Sequence, residues 1–253
     1  MTTGEPVRIT YGGDPSQFGD LSRPAQPPPT AGFPTVVLIH GGFWRAEYRL
    51  DLMTALAADL VARGFAVWNI EYRRVGQPGG GWPGTLEDVA AAIDELAELA
   101  AANTLNLTRV SFVGHSAGGH LALWAAARDR LPTGAPGAGP IVRPIVAIGQ
   151  GPVVDLAAGD ARGLGGGAVT AFLGGTAADV PERYEIATPT TDGPARLVAV
   201  RGTDDGIVPA EFTLLPSGDG IEAVDVRGDD HFDLIDPASA SWAAVVAILT
   251  GER

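Results

Sequence analysis

The stretch FVGHSAGGH, residues 112–120, places one serine between glycines where the sequence pattern changes abruptly. An apolar run at 110–113 precedes Ser116, and an alanine-rich run at 121–127 follows it. This pattern predicts a buried strand that turns sharply into a helix. Gly114 and Gly118 fit such a turn, because a side chain two positions before or after the serine would collide with neighbouring backbone.

Short apolar runs and helical patterns alternate along the rest of the chain. The predicted strands lie at 34–40, 65–70, 110–113, 145–149, 196–200 and 221–226. The predicted helices lie at 50–63, 86–102, 118–127 and 239–249. The alternation predicts an α/β fold, with a mostly parallel central sheet covered by helices on both faces. We expect a single domain over residues 1–253, with a small lid at about 155–190.

The composition argues against several classes of protein. The 253 residues carry a formal net charge of −13, and an acidic surface repels phosphate backbones, so we expect no nucleic-acid partner. The absence of cysteine excludes disulfides, cysteine nucleophiles and thiolate metal sites. The polar start of the chain and the lack of a long apolar stretch predict a cytoplasmic protein with no membrane partner. These features do not separate a monomer from a homodimer.

Ser116 needs a base before its hydroxyl can act as a nucleophile, and the chain has four histidines from which to choose. His115 adjoins the serine, and its side chain should point away from the hydroxyl. His120 lies about one helical turn further on, where we expect it to pack or cap, and His40 ends a predicted strand, where we expect it to hold the following loop. His231 lies in a loop before the last helix, as the chain order serine, acid, histidine requires. We therefore predict His231 as the base.

The acid that orients this base should follow the predicted strand at 196–200. Two adjacent aspartates, Asp204 and Asp205, stand there in GTDDGIVP, residues 202–209. Only one of them can face His231, and we favour Asp205, with Asp204 as the alternative. The acid would fix the imidazole tautomer and stabilise the imidazolium.

A site for negative charge on the attacked carbonyl oxygen is predicted after the first strong strand, in HGGFW, residues 40–44. Glycines there allow backbone N–H groups to converge on an oxyanion. We assign the amides of Gly42 and Phe43, together with that of Ala117, to this oxyanion hole, with the amide of Gly41 as an alternative donor. Trp44 either forms a wall of the acyl pocket or packs in the core. The candidate substrate-pocket residues are Gly41, Trp44 and His115.

These segments together resemble the α/β-hydrolases of the esterase and lipase group that carry an HGG-type oxyanion loop. HGGFW is most similar to the motif of kynurenine formamidases (arylformamidases) and their esterase relatives, and residues 70–93 also resemble that family. The resemblance implies an α/β-hydrolase fold with about eight strands. It further implies hydrolysis of a small-molecule carboxylic ester or aryl-formamide through an acyl-enzyme, without a cofactor. Phe43 departs from relatives of the hormone-sensitive-lipase type, which have a third glycine at that position.

Two further patterns imitate other sites. The glycine-rich stretch 163–167 imitates a dinucleotide fingerprint, but no buried strand precedes it, so we do not expect nucleotide binding. Asp229, Asp230, His231 and Asp233 could be drawn as metal ligands, but neighbours on one loop rarely complete a coordination sphere, and we expect no metal. The short predicted lid favours small or aromatic acyl groups. A non-catalytic binding protein of the same fold is the alternative of a different class.

Overall fold

The computed structural model describes residues 5–216 and 220–251, and its centre is an eight-stranded sheet. The strands are β1 (Val7–Thr10), β2 (Phe18–Ser22), β3 (Phe33–Ile39), β4 (Ala66–Ile70), β5 (Leu105–His115), β6 (Val146–Gln150), β7 (Arg196–Gly202) and β8 (Glu222–Val226). They follow the order β1-β2-β4-β3-β5-β6-β7-β8 across the sheet. β1 and β2 pair antiparallel at one edge, and every pairing from β4 to β8 is parallel. The predicted α/β fold with a mostly parallel sheet is confirmed.

Helices cover both faces of the sheet, because alternate residues of the buried strands point to opposite sides. In β3, Val37 and Ile39 face one apolar core, and Val36 and Leu38 face the other. The helices are α1 (Thr54–Ala62), α2 (Gly84–Asp94), α3 (Leu96–Asn103), α4 (Ala117–Ala126), α5 (Leu156–Ala161), α6 (Leu164–Leu173), α7 (Pro181–Ala187) and α8 (Ala240–Thr250). The first core includes residues of α2, α3 and α4, and the second includes residues of α1 and α8.

The predicted elements agree with the structure in the centre of the sheet and differ at its margins. β1 and β2 were not predicted, because β1 is largely exposed and β2 contains Gly19 and Asp20, which are uncommon in strands. The helix predicted over 86–102 is two helices that meet at Glu95. The predicted lid region contains three short helices, α5, α6 and α7, which we call the insert. No helix within the described residues is both long and apolar enough to cross a membrane.

The carboxyl ends of the parallel strands meet at one edge of the sheet, and the predicted site residues follow from them. HGGFW comes after β3, Ser116 after β5, the two aspartates after β7 and His231 after β8. Ligand and catalytic sites of open α/β sheets lie at this edge. The topology therefore collects segments that are far apart in the sequence into one region.

Candidate active site

Ser116 lies at the turn between β5 and α4, in a strained backbone conformation with φ 55° and ψ −120°. A Cβ at Gly114 would collide with the Gly118 carbonyl oxygen, and one at Gly118 would collide with the Ile39 carbonyl oxygen. The reason predicted for the two glycines is therefore confirmed. The Ser116 amide donates a hydrogen bond of 2.7 Å to the carbonyl of Gln150, at the end of β6. Such strain costs on the order of 1–3 kcal/mol and persists where the surrounding structure imposes it.

Asp205, rather than Asp204, lies against His231. The Nδ1 atom of His231 is 2.7 Å from Oδ2 of Asp205, and both side chains are almost fully buried. The other carboxylate oxygen of Asp205 accepts hydrogen bonds of 2.9 Å from the amides of Ile207 and Val208. Asp204 is exposed, and its carboxylate accepts a hydrogen bond from the Thr203 hydroxyl.

Asp205 is held in its ionised form by these hydrogen bonds. Burial by itself would raise the pKa of this carboxyl, but the bonds from His231 and from the two amides outweigh burial, and the pKa is lowered. Because an ionised carboxylate can only accept, His231 donates its Nδ1 proton to Asp205. In the neutral ring, Nε2 then carries the free lone pair of a proton acceptor.

The aspartate–histidine pair and the serine share neighbours at the end of β6. Gln150 accepts the Ser116 amide hydrogen bond on its backbone, and its side-chain amide donates to the carbonyl of Leu234, three residues after His231. The next residue, Gly151, lies directly behind the pair: a Cβ there would be 3.0 Å from Asp205 Oδ2 and 3.2 Å from His231 Nδ1. The imidazole of His115, next to Ser116, packs 4.5 Å from that of His231 between ring centroids. The structure thus brings the three predicted side chains into one region.

The loop after β3 presents backbone amides beside the serine. Gly42, Phe43 and Trp44 have φ angles of 105°, 53° and 55°, an uncommon run of left-handed residues. Among the described residues, the amides of Gly42, Phe43 and Ala117 donate to no acceptor in the protein. A hydrogen bond of 3.0 Å from the Arg45 amide to the Gly42 carbonyl closes a turn in this loop. Arg45 also pairs with Val75 in an isolated parallel β-bridge. Free amides held in this way can receive an oxyanion.

Two of the three candidate pocket residues, Trp44 and His115, are buried. Trp44 has no exposed surface and stacks on Phe172 at 4.6 Å between ring centroids, so it corresponds to the core-packing alternative. His115 is 3% exposed, and its ring packs against that of His231 and bonds the His231 carbonyl. Gly41 packs against the turn that carries Ser116, because a Cβ there would be 2.6 Å from the His115 carbonyl oxygen and 2.9 Å from Ser116 Cβ.

His40 supports the loop after β3, as expected, but through a buried glutamate that sequence reasoning missed. Its Nδ1 is 2.8 Å from the Gly41 carbonyl oxygen, and its Nε2 is 2.8 Å from Oε1 of Glu71. Glu71 also pairs with the guanidinium of Arg74 at 2.9 Å and accepts hydrogen bonds from the amides of Leu50 and Tyr72. Burial would raise the pKa of Glu71, but the bond from His40 and the charge of Arg74 outweigh burial, and the pKa is lowered.

Replacing Glu71 with glutamine is expected to lower the free energy of unfolding at pH 7 by about 3–5 kcal/mol, because Arg74 would remain buried without its counter-charge. The pKa of Glu71 is lower in the folded protein, so its stabilisation is complete above the ordinary carboxyl value of 4.5 and declines as the pH falls below it. In urea unfolding, the difference in unfolding free energy between wild type and Glu71→Gln should therefore be smaller near pH 3.5 than at pH 7. In the control Asp20→Asn, which removes the partly exposed pair with Arg8, the loss should stay below about 1 kcal/mol.

The insert contacts the loop after β3 through the glycine-rich stretch that imitates a dinucleotide fingerprint. Gly165, Gly166 and Gly167 have φ angles of 59°, 66° and 79°, and a Cβ at Gly165 would be 2.6 Å from the ring of Phe43. The Arg45 guanidinium donates to the Gly165 carbonyl at 2.5 Å. Gly165 therefore allows close packing over Phe43.

The aspartates near His231 bind backbone amides. Asp230 accepts hydrogen bonds from the amides of Phe232 and Asp233 at 2.7 and 3.0 Å, and Asp229 accepts one from Ser241 at 2.8 Å. These bonds shape the loop that carries His231. In residues 5–216 and 220–251, no three histidine, aspartate or glutamate side chains are grouped in a way that could hold a metal ion.

Solved structures with the same fold include several esterases. Esterase B from Lactobacillus rhamnosis is 21% identical with a TM-score of 0.80, and the alignment covers 100% of this chain and 86% of that one. Est2 from Thermogutta terrifontis is 19% identical with a TM-score of 0.73, over 98% and 91% of the two chains. A bifunctional GH43-CE protein from Bacteroides eggerthii is 20% identical with a TM-score of 0.78, and all of this chain spans 38% of that one. At these identities the likeness shows the fold.

The family comparison extends this result to the sequence. The BD-FAE family profile matches residues 20–215, a range that contains the loop after β3, Ser116 and Asp205 and ends before His231. A comparison with curated proteins gives no match. Because the profile covers well over half of the chain, the protein belongs to the BD-FAE family, an α/β-hydrolase-type esterase family.

Proposed function

We propose that the protein is a serine hydrolase that cleaves carboxylic esters of small or aromatic acyl groups through an acyl-enzyme. The observation that carries the proposal is the buried hydrogen bond between Asp205 and His231, whose imidazole packs against that of His115, the residue before Ser116 at its strained turn. A nucleophile, a base and an orienting acid are the parts that such catalysis requires. Membership of an esterase family supports the same reaction class.

Acylation begins when the Ser116 hydroxyl oxygen attacks the ester carbonyl carbon while its proton passes to Nε2 of His231. The carbonyl π pair moves to oxygen, and the amides of Gly42, Phe43 and Ala117 stabilise the oxyanion. When this pair returns, the bond to the leaving alkoxide breaks, and His231 gives its proton to the departing alcohol. Loss of one oxyanion donor typically costs about 3 kcal/mol of transition-state stabilisation.

Deacylation repeats these steps with water as the nucleophile. His231 takes a proton from water, the hydroxide attacks the acyl carbon, and the proton then returns to the Ser116 oxygen as the acid leaves. Throughout the cycle, Asp205 stays ionised, which stabilises the imidazolium and keeps the Nδ1 proton in place.

Exposed apolar side chains near the site support the preference for apolar acyl or alcohol groups. Phe232 is 56% exposed, and its ring lies 5.8 Å from that of His231 between centroids. Tyr48 is 42% exposed and packs against Gly42 of the oxyanion loop. Exposed aromatic surface beside a reactive centre favours the binding of apolar substrate groups.

We expect wild-type protein to hydrolyse p-nitrophenyl acetate and to react with a fluorophosphonate probe, with peptide mass spectrometry placing the adduct on Ser116. The variant Ser116→Ala should do neither. Retained labelling in this variant would contradict the assignment of the nucleophile, and no labelling of the wild type would favour a non-catalytic binding protein.

A second assay separates an esterase from the arylformamidase that HGGFW suggests. Short-chain phenyl esters are assayed beside N-formylkynurenine, and a formamidase should hydrolyse N-formylkynurenine faster than the esters.

A further inference from the structure

A hydrogen bond joins His115 to the backbone of the proposed base. The Nε2 atom of His115 lies 3.0 Å from the carbonyl oxygen of His231, across 116 positions of sequence. A carbonyl oxygen only accepts, so Nε2 carries the proton and donates it. Both residues are buried, and their ring centroids are 4.5 Å apart. The donor therefore ties the end of β5, which carries Ser116, to the loop that carries His231.

The opposite edge of the same ring faces the oxyanion loop. Nδ1 of His115 is buried without a hydrogen-bond partner, and a Cβ at Gly41 would lie 3.1 Å from it. Burial lowers the pKa of His115 to about 3, so the ring is neutral at neutral pH and can carry one proton on Nε2 and a lone pair on Nδ1. One uncharged ring thus fills the space between the base and the oxyanion loop.

We infer that His115 is a positioning residue, whose Nε2–H holds the His231 backbone at the distance from Ser116 that proton transfer requires. The inference rests on the proposed function. His115 touches no reacting atom, and it acts through the carbonyl of His231. Without the donor, this carbonyl would be buried and unsatisfied, and the loop would shift to reach another partner. A displacement of about 1 Å in a catalytic group can cost roughly 100-fold in rate.

The test compares variants that keep or remove the donor. His115→Met fills a similar volume without an N–H, and we expect kcat for p-nitrophenyl acetate to fall about 100-fold, with the rate of fluorophosphonate labelling falling in parallel. KM should change by less than about 2-fold, because substrate contacts are unaffected. The amide of His115→Gln ends near the Nε2 position and should restore kcat to within about 10-fold of wild type. His115→Asn, which is too short to reach, repeats the comparison if the methionine variant does not fold.

His120→Met is the matched control for loss of a buried imidazole. His120 is also fully buried and neutral, and its Nε2 donates at 2.8 Å to a carbonyl, that of Ala187 in the insert. The thermal midpoint of His120→Met should fall about as much as that of His115→Met, but its kcat should change much less. Equal kcat losses in the two variants, or no rescue by glutamine, would overturn the positioning role. A wild type that neither hydrolyses esters nor reacts with the probe would instead overturn the proposed function.

Discussion

Replacing Asp205 with asparagine is expected to lower kcat for ester hydrolysis by about 10⁴-fold, the scale seen when the acid of a serine–histidine–aspartate triad is converted to its amide. One carboxylate oxygen of Asp205 accepts two backbone amides, and the other accepts the His231 Nδ1 proton. The asparagine carbonyl oxygen would still accept the hydrogen bonds from the two backbone amides, so the side-chain NH₂ group would face Nδ1 of His231. A donor at that place favours the tautomer with the proton on Nε2, and this tautomer cannot accept the proton of Ser116.

The adjacent aspartate provides the control. Asp204→Asn removes the same charge one position earlier, but Asp204 is exposed and its carboxylate accepts a hydrogen bond from the Thr203 hydroxyl. We expect its kcat to stay within about 2-fold of wild type, as for other exposed substitutions. Steady-state rates on p-nitrophenyl acetate, with thermal midpoints to verify folding, decide between the two residues. A larger loss in Asp204→Asn than in Asp205→Asn would reverse the assignment of the acid.

The central sheet and the serine turn could be predicted because their signals are local. An apolar run before Ser116, glycines on either side and an alanine-rich run after it define strand, turn and helix within about 18 residues. The placement of Asp205 and His231 used one further rule, the order of segments along a parallel sheet. Because all these strands point the same way, residues that follow them must reach the same edge.

The contacts that brace the site could not be predicted, because they join distant residues whose side chains carry no distinctive pattern. Glu71 binds His40 across 31 positions, and His115 binds His231 across 116. In the sequence, Glu71 looks like one more charged residue after a strand, yet folding places it where burial makes its pairing obligatory. Trp44 was ambiguous for the same reason, since only the position of Phe172 in the insert decides that its ring is enclosed.

The insert shows a second limit. Its glycines suggested a nucleotide loop and were set aside for lack of a preceding strand, but sequence alone gives no reason for them. The reason lies in the close approach of Gly165 to Phe43, which requires both a left-handed backbone and the absence of a side chain. Glycine patterns record backbone geometry, and their meaning depends on what the fold places beside them.

Gly151→Ala is the second substitution for which we expect a large loss of activity. The added methyl group would lie 3.0 Å from Asp205 Oδ2, 3.2 Å from His231 Nδ1 and 2.8 Å from a methyl carbon of Leu234. Contacts this short force the neighbours to move, and the atoms that must move are those of the hydrogen bond that orients the base. We expect kcat to fall about 100-fold, the usual effect of a displacement near 1 Å in a catalytic group.

The effect of backbone strain must be separated from the effect of these short contacts, because Gly151 also has a positive φ of 54°. A left-handed residue with a Cβ costs about 1–2 kcal/mol wherever it occurs. Gly163→Ala is the matched control, because Gly163 has a φ of 63° and no atom within 4 Å of its added Cβ. Gly163→Ala should lose only the stability that strain costs, Gly151→Ala should lose at least as much in urea unfolding, and Gly151→Ala alone should lose most of its turnover. If the two variants keep equal kcat values, the packing of Gly151 against Asp205 and His231 does not fix the positions of these two side chains. The close packing around the pair would then have no catalytic consequence.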